Sequence, residues 1–290
     1  MPELPEVETV VNDLRDAGLV GRRVVKARVH WPRMIATSSA KQFSRAMEGQ
    51  QFAELSRRAK YIVASLSNGQ GLLIHLRMTG NLRFRDSGTP RDPHEHVVLL
   101  LDDDRELRYR DPRKFGRWYL LDDVQEKLGG LGPEPLAPGF TADRLRRIIS
   151  GRRGILKPLL LNQAFIAGLG NIYVDEALWD AGLHPQRSAE SLSDDDVGAL
   201  YRAIRKVLRR GVRSLGASLG KAQTNFYSVG GRRGRAQDGF KVFRRTGEPC
   251  PRCKTPIERT VIAQRGTHLC PVCQVADVGK LAPPQAGWRA

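Results

Sequence analysis

Val7, Val10, Val11 and Leu14 recur at helical spacing behind an opening rich in proline and glutamate, and predict a helix that begins near Glu6. The pattern changes at Val24. From there to about Leu120 the apolar positions fall into short or alternating runs, Tyr61–Leu66, Leu72–Leu76, Val97–Leu101 and Arg117–Leu120, separated by turn residues such as Asn68-Gly69. Runs of that length and spacing predict an antiparallel sandwich or barrel. Glycine and proline crowd residues 129–140, which read as a linker. Beyond it the period is helical again. Thr141 is placed to cap a helix over Ala142–Ile149, and Ser193, followed by three aspartates, to cap the clearest helix of the chain. On that helix Val197, Leu200, Ile204, Val207 and Leu208 form an apolar stripe. Its many basic residues, Arg202 to Arg210, have the ordinary composition of a solvated face. Gly230–Gly239 reads as a mobile loop, and the tail from residue 276 to 290, without periodicity, as poorly ordered.

Composition narrows the class. Of 290 residues 40% are hydrophobic and 27% charged, the balance of a soluble globular protein. No apolar run approaches the ~20 residues of a membrane span. The first ten residues carry acids where a secretory signal carries bases, so an intracellular, cytoplasmic protein is expected. The formal net charge of +17 implies a polyanionic partner, most often nucleic acid. Residues 1–140 contribute +3 of it and residues 141–290 contribute +14. A generic basic protein, such as a ribosomal one, is the alternative that charge leaves open.

Candidate chemistry lies at the two ends. Cys250, Cys253, Cys270 and Cys273 form a C-x2-C-x16-C-x2-C pattern. Two such knuckles suit a closed tetrahedral zinc site with a structural role, while a pair of reversible disulfides is the competing reading. Between the knuckles, strand-like residues Ile257–Ile262 run into Ala263-Gln264-Arg265-Gly266-Thr267, which suggests a hairpin with Arg265 at its turn. At the other end, removal of Met1 exposes the secondary amine of Pro2, with a pKa near ~8 and therefore partly neutral in the cell. Such an amine attacks a sugar C1′ and forms an iminium, and Glu3 and Glu6 are near enough in sequence to move protons for that step. A Met-Pro start alone carries no such meaning.

The combination does. Met1 to Thr9 (MPELPEVET) resembles the opening of the formamidopyrimidine-DNA glycosylase family. The resemblance continues in order through Arg57-Arg58-Ala59-Lys60-Tyr61, His75-Leu76-Arg77-Met78-Thr79-Gly80, Asp111-Pro112-Arg113-Lys114-Phe115-Gly116 and Gly168-Leu169-Gly170-Asn171-Ile172-Tyr173, and ends in the four-cysteine finger with its Arg265. Leu4 resembles the purine-lesion branch rather than the endonuclease VIII branch, where glycine is typical. The resemblance implies an α+β multidomain fold: an N-terminal antiparallel β-sandwich over residues 2–128, a helix–two-turn–helix domain with a lesion loop over 141–240, and a zinc finger over 241–275. It implies a DNA duplex in the cleft between domains, excision of oxidised purines such as 8-oxoguanine and formamidopyrimidines, and cleavage of the strand by β- and δ-elimination. One structural zinc ion and no redox or organic cofactor are expected, in a monomer with no membrane partner.

Residue by residue, Pro2 matches the Schiff-base nucleophile, Glu3 the acid that assists opening of the sugar ring and Glu6 a supporting carboxylate. Lys60 matches the lysine tied to base excision and β-elimination, and Arg265 the finger arginine tied to phosphate binding and δ-elimination. Met78, Arg113 and Phe115 match the side chains that fill the gap left by an everted nucleotide. His75, His94, Lys114, Arg153, Lys157 and Asn171 match positions that contact the DNA backbone. Two departures stand out. The segment Thr224–Arg235 lacks the family's usual lesion-loop sequence and carries three arginines, and Lys114 stands where arginine is common. The rival readings are an oxidised-pyrimidine glycosylase of the endonuclease VIII branch and a non-catalytic zinc-ribbon DNA-binding protein.

Overall fold

A computed structural model of the 290-residue chain describes residues 1–220 and 226–275 together with Gly279 and Leu281. Thr224, Asn225 and nearly all of the predicted tail lie outside the described residues. Contacts divide the chain into two compact units, Met1–Gly130 with Gly211–Gln237, and Leu131–Arg210 with Asp238–Ala290.

The first unit is a sandwich of two antiparallel four-stranded sheets. One has the order β1 (Val24–Val29), β6 (Glu95–Leu101), β7 (Arg105–Arg110), β5 (Asn81–Asp86); the other β2 (Phe52–Arg58), β3 (Tyr61–Leu66), β4 (Gly71–His75), β8 (Arg117–Leu121). The four predicted runs are strands β3, β4, β6 and β8, with ends that differ by at most two residues. Between the sheets Trp118 is fully buried, meeting Phe43 and Tyr109 edge-on at ring separations of 6.1 and 5.5 Å.

Helix α1 spans Leu4–Asp16, starting two residues before the predicted point because a capping box between Glu3 and Glu6 and a proline in the first turn satisfy its end. Its predicted stripe, Val7, Val10, Val11 and Leu14, is buried in the sandwich core. The β-rich stretch also holds a helix the pattern did not reveal, α2 at Ala40–Met47, which buries Phe43 and Met47 behind a Ser39–Gln42 capping box. A short helix α3 covers Gln125–Leu128.

In the second unit α4 (Ala142–Ile149) is capped by Thr141, whose hydroxyl accepts the Arg144 N–H. Helices α5 (Leu156–Leu161), α6 (Asn171–Ala181) and α7 (Asp194–Arg213) follow. Ser193 accepts the Asp196 N–H at the start of α7, and the stripe Val197 to Leu208 is buried as its spacing required. Strands β9 (Glu258–Ile262) and β10 (Arg265–Leu269) form the hairpin of the finger. Its two-residue turn is Ala263-Gln264, both at positive φ, so Arg265 opens β10 just past the turn. No described helix is long and apolar enough to cross a membrane.

Candidate active site

Pro2 is buried at the mouth of α1. The carboxylate of Glu6, 1% exposed, fixes that end of the helix from two sides. Its Oε2 accepts the Glu3 N–H at 2.8 Å and its Oε1 the Ala217 N–H at 2.7 Å. Gly216, at φ +73°, passes so close that a Cβ there would strike the Glu6 side chain. Glu6 therefore acts as a brace between the N-terminus and the segment beyond α7. Glu3 is also buried, so both acidic candidates sit beside Pro2 and away from bulk water.

The stretch from the last turn of α7 onward was expected within the helical domain, yet 211–237 groups with the sandwich. Asn81 Nδ2 donates to Tyr227 O at 2.8 Å, and the Arg232 guanidinium reaches the buried Asp13 carboxylate. The stretch expected as a mobile loop is pinned further, with Gly234 N–H donating to Ser218 Oγ and Arg235 N–H to Ser214 O. All three loop arginines are exposed, and Arg232 pairs with Asp13.

Topology brings Met78, Arg113 and Phe115 together. The β4–β5 connection, residues 76–80, crosses from one sheet to the other, and the β7–β8 connection, residues 111–116, crosses back. His75 pairs with Arg117 and Asn81 with Arg110, so both crossings leave the same rim of the sandwich. Met78 and Phe115 are 41% and 48% exposed, large apolar side chains in water, and the Arg113 guanidinium lies 4.8 Å from the Phe115 ring centroid. Large apolar side chains exposed on one rim suit a partner that covers them. Lys114, at φ +58°, turns back and places its ammonium 4.0 Å from the Trp31 ring centroid.

Lys60 follows the turn residue Ala59 and flanks His75, because Tyr61 and His75 are paired across β3 and β4 and their rings meet at 4.8 Å. Burial pushes His75 down to about 3, with repulsion from Arg77 and Lys60 adding to it. The ring is neutral, and its Nδ1 accepts the Arg77 N–H at 3.0 Å, which leaves the proton on Nε2 as a donor. A folded pKa below the unfolded ~6.5 means that the unfolded chain takes up a proton which the fold refuses. That contribution to stability is complete above pH ~6.5 and is lost as pH falls toward 3, reaching about 2 kcal/mol by pH 5. Urea unfolding at pH 7.5 and 5.0 is expected to show His75→Gln less acid-sensitive than the parent chain; equal pH dependence would refute it. His94 is half-buried just before β6, its N–H donated to Asp92 Oδ1.

The second unit holds the finger. The four sulfurs lie within 4.8 Å of one another, with Cys250–Cys273 at 3.8 Å and Cys253–Cys270 at 3.4 Å. Those spacings match the edges of a ZnS4 tetrahedron, ~3.8 Å for Zn–S bonds of ~2.3 Å. Four thiolates close the shell, so the chain carries one structural zinc ion and the site has no place for a reacting water. Hydrogen bonds from Thr255 lower the Cys253 thiol below its ordinary value.

Arg265 is exposed at the start of β10, and Arg153 is exposed beside Glu190 at 3.6 Å. Asn171 is the first residue of α6, and its Nδ2 donates to Gly266 O at 2.8 Å. Lys157 departs from its expectation. It is fully buried, and its ammonium donates to Asp175 Oδ1 at 2.6 Å, Thr267 Oγ1 at 2.8 Å and Gly266 O at 3.2 Å. A buried ammonium with those partners reaches no phosphate without abandoning Asp175, so Lys157 clamps the finger hairpin to α6 instead of facing DNA. The sequence assigned no role to Asp175 and Tyr109, nor to Asp111 and Thr79 within their motifs. Asp175 offered a faint signal, an acid in an apolar helix downstream of a lysine in an apolar run.

A sandwich that buries the second residue of the chain and two carboxylates near it is followed along the chain by a helical region and a four-cysteine finger. Three family models match successive parts of the chain. The formamidopyrimidine-DNA glycosylase N-terminal domain matches residues 1–118, the H2TH domain of the same enzymes 131–223, and the zinc finger found in FPG and IleRS 247–275. The formamidopyrimidine-DNA glycosylase of Herpetosiphon aurantiacus is 47% identical over 94% of this chain and all of its own, and that of Protochlamydia amoebophila 45% identical over 94% and 99%. Among solved structures, a Lactococcus lactis FPG mutant in complex with Fapy-dG-containing DNA has a TM-score of 0.88 at 35% identity, covering 95% of this chain and all of that one. The MutM (FPG) protein of Thermus thermophilus has a TM-score of 0.84 at 38% identity, covering 94% and 98%. The chain belongs to the formamidopyrimidine-DNA glycosylase family.

Proposed function

We propose that this chain excises oxidised purines, 8-oxoguanine and formamidopyrimidines, from duplex DNA and then cleaves the strand at the resulting site, in base excision repair in the bacterial cytoplasm. Support comes from the full-length likeness to formamidopyrimidine-DNA glycosylases and from a Lactococcus relative solved with Fapy-dG-containing DNA. The observation that carries the mechanism is the burial of Pro2 beside Glu3 and Glu6 at the start of α1.

The basic chain approaches DNA through a salt-dependent attraction. Met78, Arg113 and Phe115 enter the stack as the damaged nucleotide rotates out, the arginine hydrogen-bonding the orphaned base. With Met1 removed, the lone pair of the Pro2 nitrogen attacks C1′. Glu3 protonates the departing ring oxygen, and the attacking nitrogen gives up its proton. The nitrogen lone pair then expels the base, which takes up a proton as it leaves the C1′ iminium. The C1′ iminium acidifies the C2′ protons, and Lys60, beside the neutral His75, assists their removal for β-elimination. Arg265 binds phosphate for the δ-elimination that follows, and His75, His94, Lys114, Arg153 and Asn171 serve the backbone. The zinc ion holds the finger and takes no part in the chemistry.

Borohydride reduction during turnover traps the iminium as a stable adduct. Trapping is expected on a duplex with 8-oxoguanine opposite cytosine, and much more weakly on one with dihydrothymine. Preference for dihydrothymine would move the chain to the endonuclease VIII branch, and no adduct on either would leave a DNA-binding zinc protein.

A further inference from the structure

Three exposed side chains from two separate loops act together only if something fixes the loops to one another. Asp111 does so. It is fully buried at the end of β7, and its carboxylate serves both crossings of the sandwich rim. Thr79 Oγ1, next to Met78, donates to Oδ1; the Arg113 N–H donates to the same oxygen at 3.2 Å; and the Gly116 N–H, next to Phe115, donates to Oδ2 at 2.8 Å. His96 Nε2 meets the Asp111 backbone oxygen at 3.0 Å, and Asp111 N–H donates to His94 O at 2.9 Å, which holds the residue from behind.

The packing beneath repeats the arrangement. Tyr109, buried against Trp118, lies under both loops, and a Cβ added at either Gly80 or Gly116 would collide with its hydroxyl. Both glycines keep the loops pressed onto one floor. Arg77 and Lys114, the residues beside Met78 and Phe115, sit at φ +54° and +58°, backbone conformations that an L residue holds only when its surroundings impose them.

We infer that Asp111 is a positioning residue for base eversion, locking the Met78 loop and the Arg113–Phe115 loop into a single wedge before DNA arrives. The inference rests on the proposed entry of those three side chains into the duplex. A preorganised wedge spends no binding energy on ordering two loops, which leaves that energy for opening the stack.

Asp111→Asn nearly conserves shape yet places an N–H2 group where a carboxylate oxygen accepted, so at least one backbone donor in the buried rim loses its acceptor. Single-turnover excision from an 8-oxoguanine duplex is expected to fall about tenfold or more, the scale of one buried hydrogen bond lost. Strand cleavage at an abasic site in a single-stranded oligonucleotide needs no eversion and is expected to change less than about twofold, a split that general destabilisation would not produce. Thr79→Val, which removes only the hydroxyl, is expected to lower duplex excision about threefold, with Thr79→Ser restoring it.

Unchanged duplex excision by Asp111→Asn overturns the inference. If that variant loses both activities it has lost its fold, and Thr79→Val then decides: a loss confined to the duplex supports the wedge, and no loss, or equal losses, overturns it. Phe115→Ala separates the two levels. Full duplex activity in Phe115→Ala defeats the eversion reading itself, whereas a loss there with Asp111→Asn intact defeats only the role given to Asp111.

Discussion

Pro2→Gly is expected to lower borohydride-trapped adduct on the 8-oxoguanine duplex about 10²-fold, the scale on which misplacing a reacting group by about 1 Å counts. Glycine keeps an amine at the same point in the chain, so the loss measures placement and basicity rather than mere presence. The proline ring fixes the direction of its nitrogen and presents a secondary amine whose iminium carries no proton on nitrogen. Glycine frees the backbone at a buried position whose neighbours, the Glu3 N–H and the Glu6 carboxylate, are otherwise fixed. A chain that retains Met1 is the stricter control. There the Pro2 nitrogen is a tertiary amide with its lone pair delocalised into a carbonyl, and trapping is expected at background. Intact mass determines which species is present, and trapped adduct from a chain shown to retain Met1 would end the Pro2 assignment.

Much of this site could be read from the sequence, for physical reasons that differ from part to part. The strands were visible because period-2 burial and turn residues leave a local imprint, as in Tyr61–Leu66 and Val97–Leu101. The zinc site was visible because coordination geometry dictates spacing. Helix α2 was not, since only Phe43 and Met47 mark its buried face; the Ser39–Gln42 capping pair was the one local clue. The wedge loops were recognisable as motifs, but their union through Asp111 depends on two sheet crossings sharing a rim, a property of topology and not of any stretch of sequence. The grouping of 211–237 with the sandwich likewise depends on long-range pairs, Glu6 with Ala217 and Asp13 with Arg232. Lys157 shows the reverse failure. A basic residue in a DNA enzyme invites a phosphate, and only burial and the partner reveal otherwise.

That lysine gives the largest expected effect on stability. Lys157→Met removes the cation from a pair buried on both sides and leaves the Asp175 carboxylate to the His268 N–H at 3.0 Å and ring Nδ1 at 3.3 Å. Stranding one member of a buried pair costs about 3–5 kcal/mol. The Thr267 hydroxyl and the Gly266 carbonyl also lose the ammonium, so the finger hairpin loses the clamp that fixes β10 against α6. A hydrophobic pair in place of both charges often restores stability elsewhere. Here Lys157→Met combined with Asp175→Leu is expected to recover only in part, because the His268 N–H would then be the group left unsatisfied. Urea unfolding of the two variants beside the parent chain, all loaded with zinc, tests this order. A single variant as stable as the parent would show that the pair does not hold the hairpin. Full recovery in the double variant would show that the charge, and not the hydrogen-bonded clamp, is what the second unit requires.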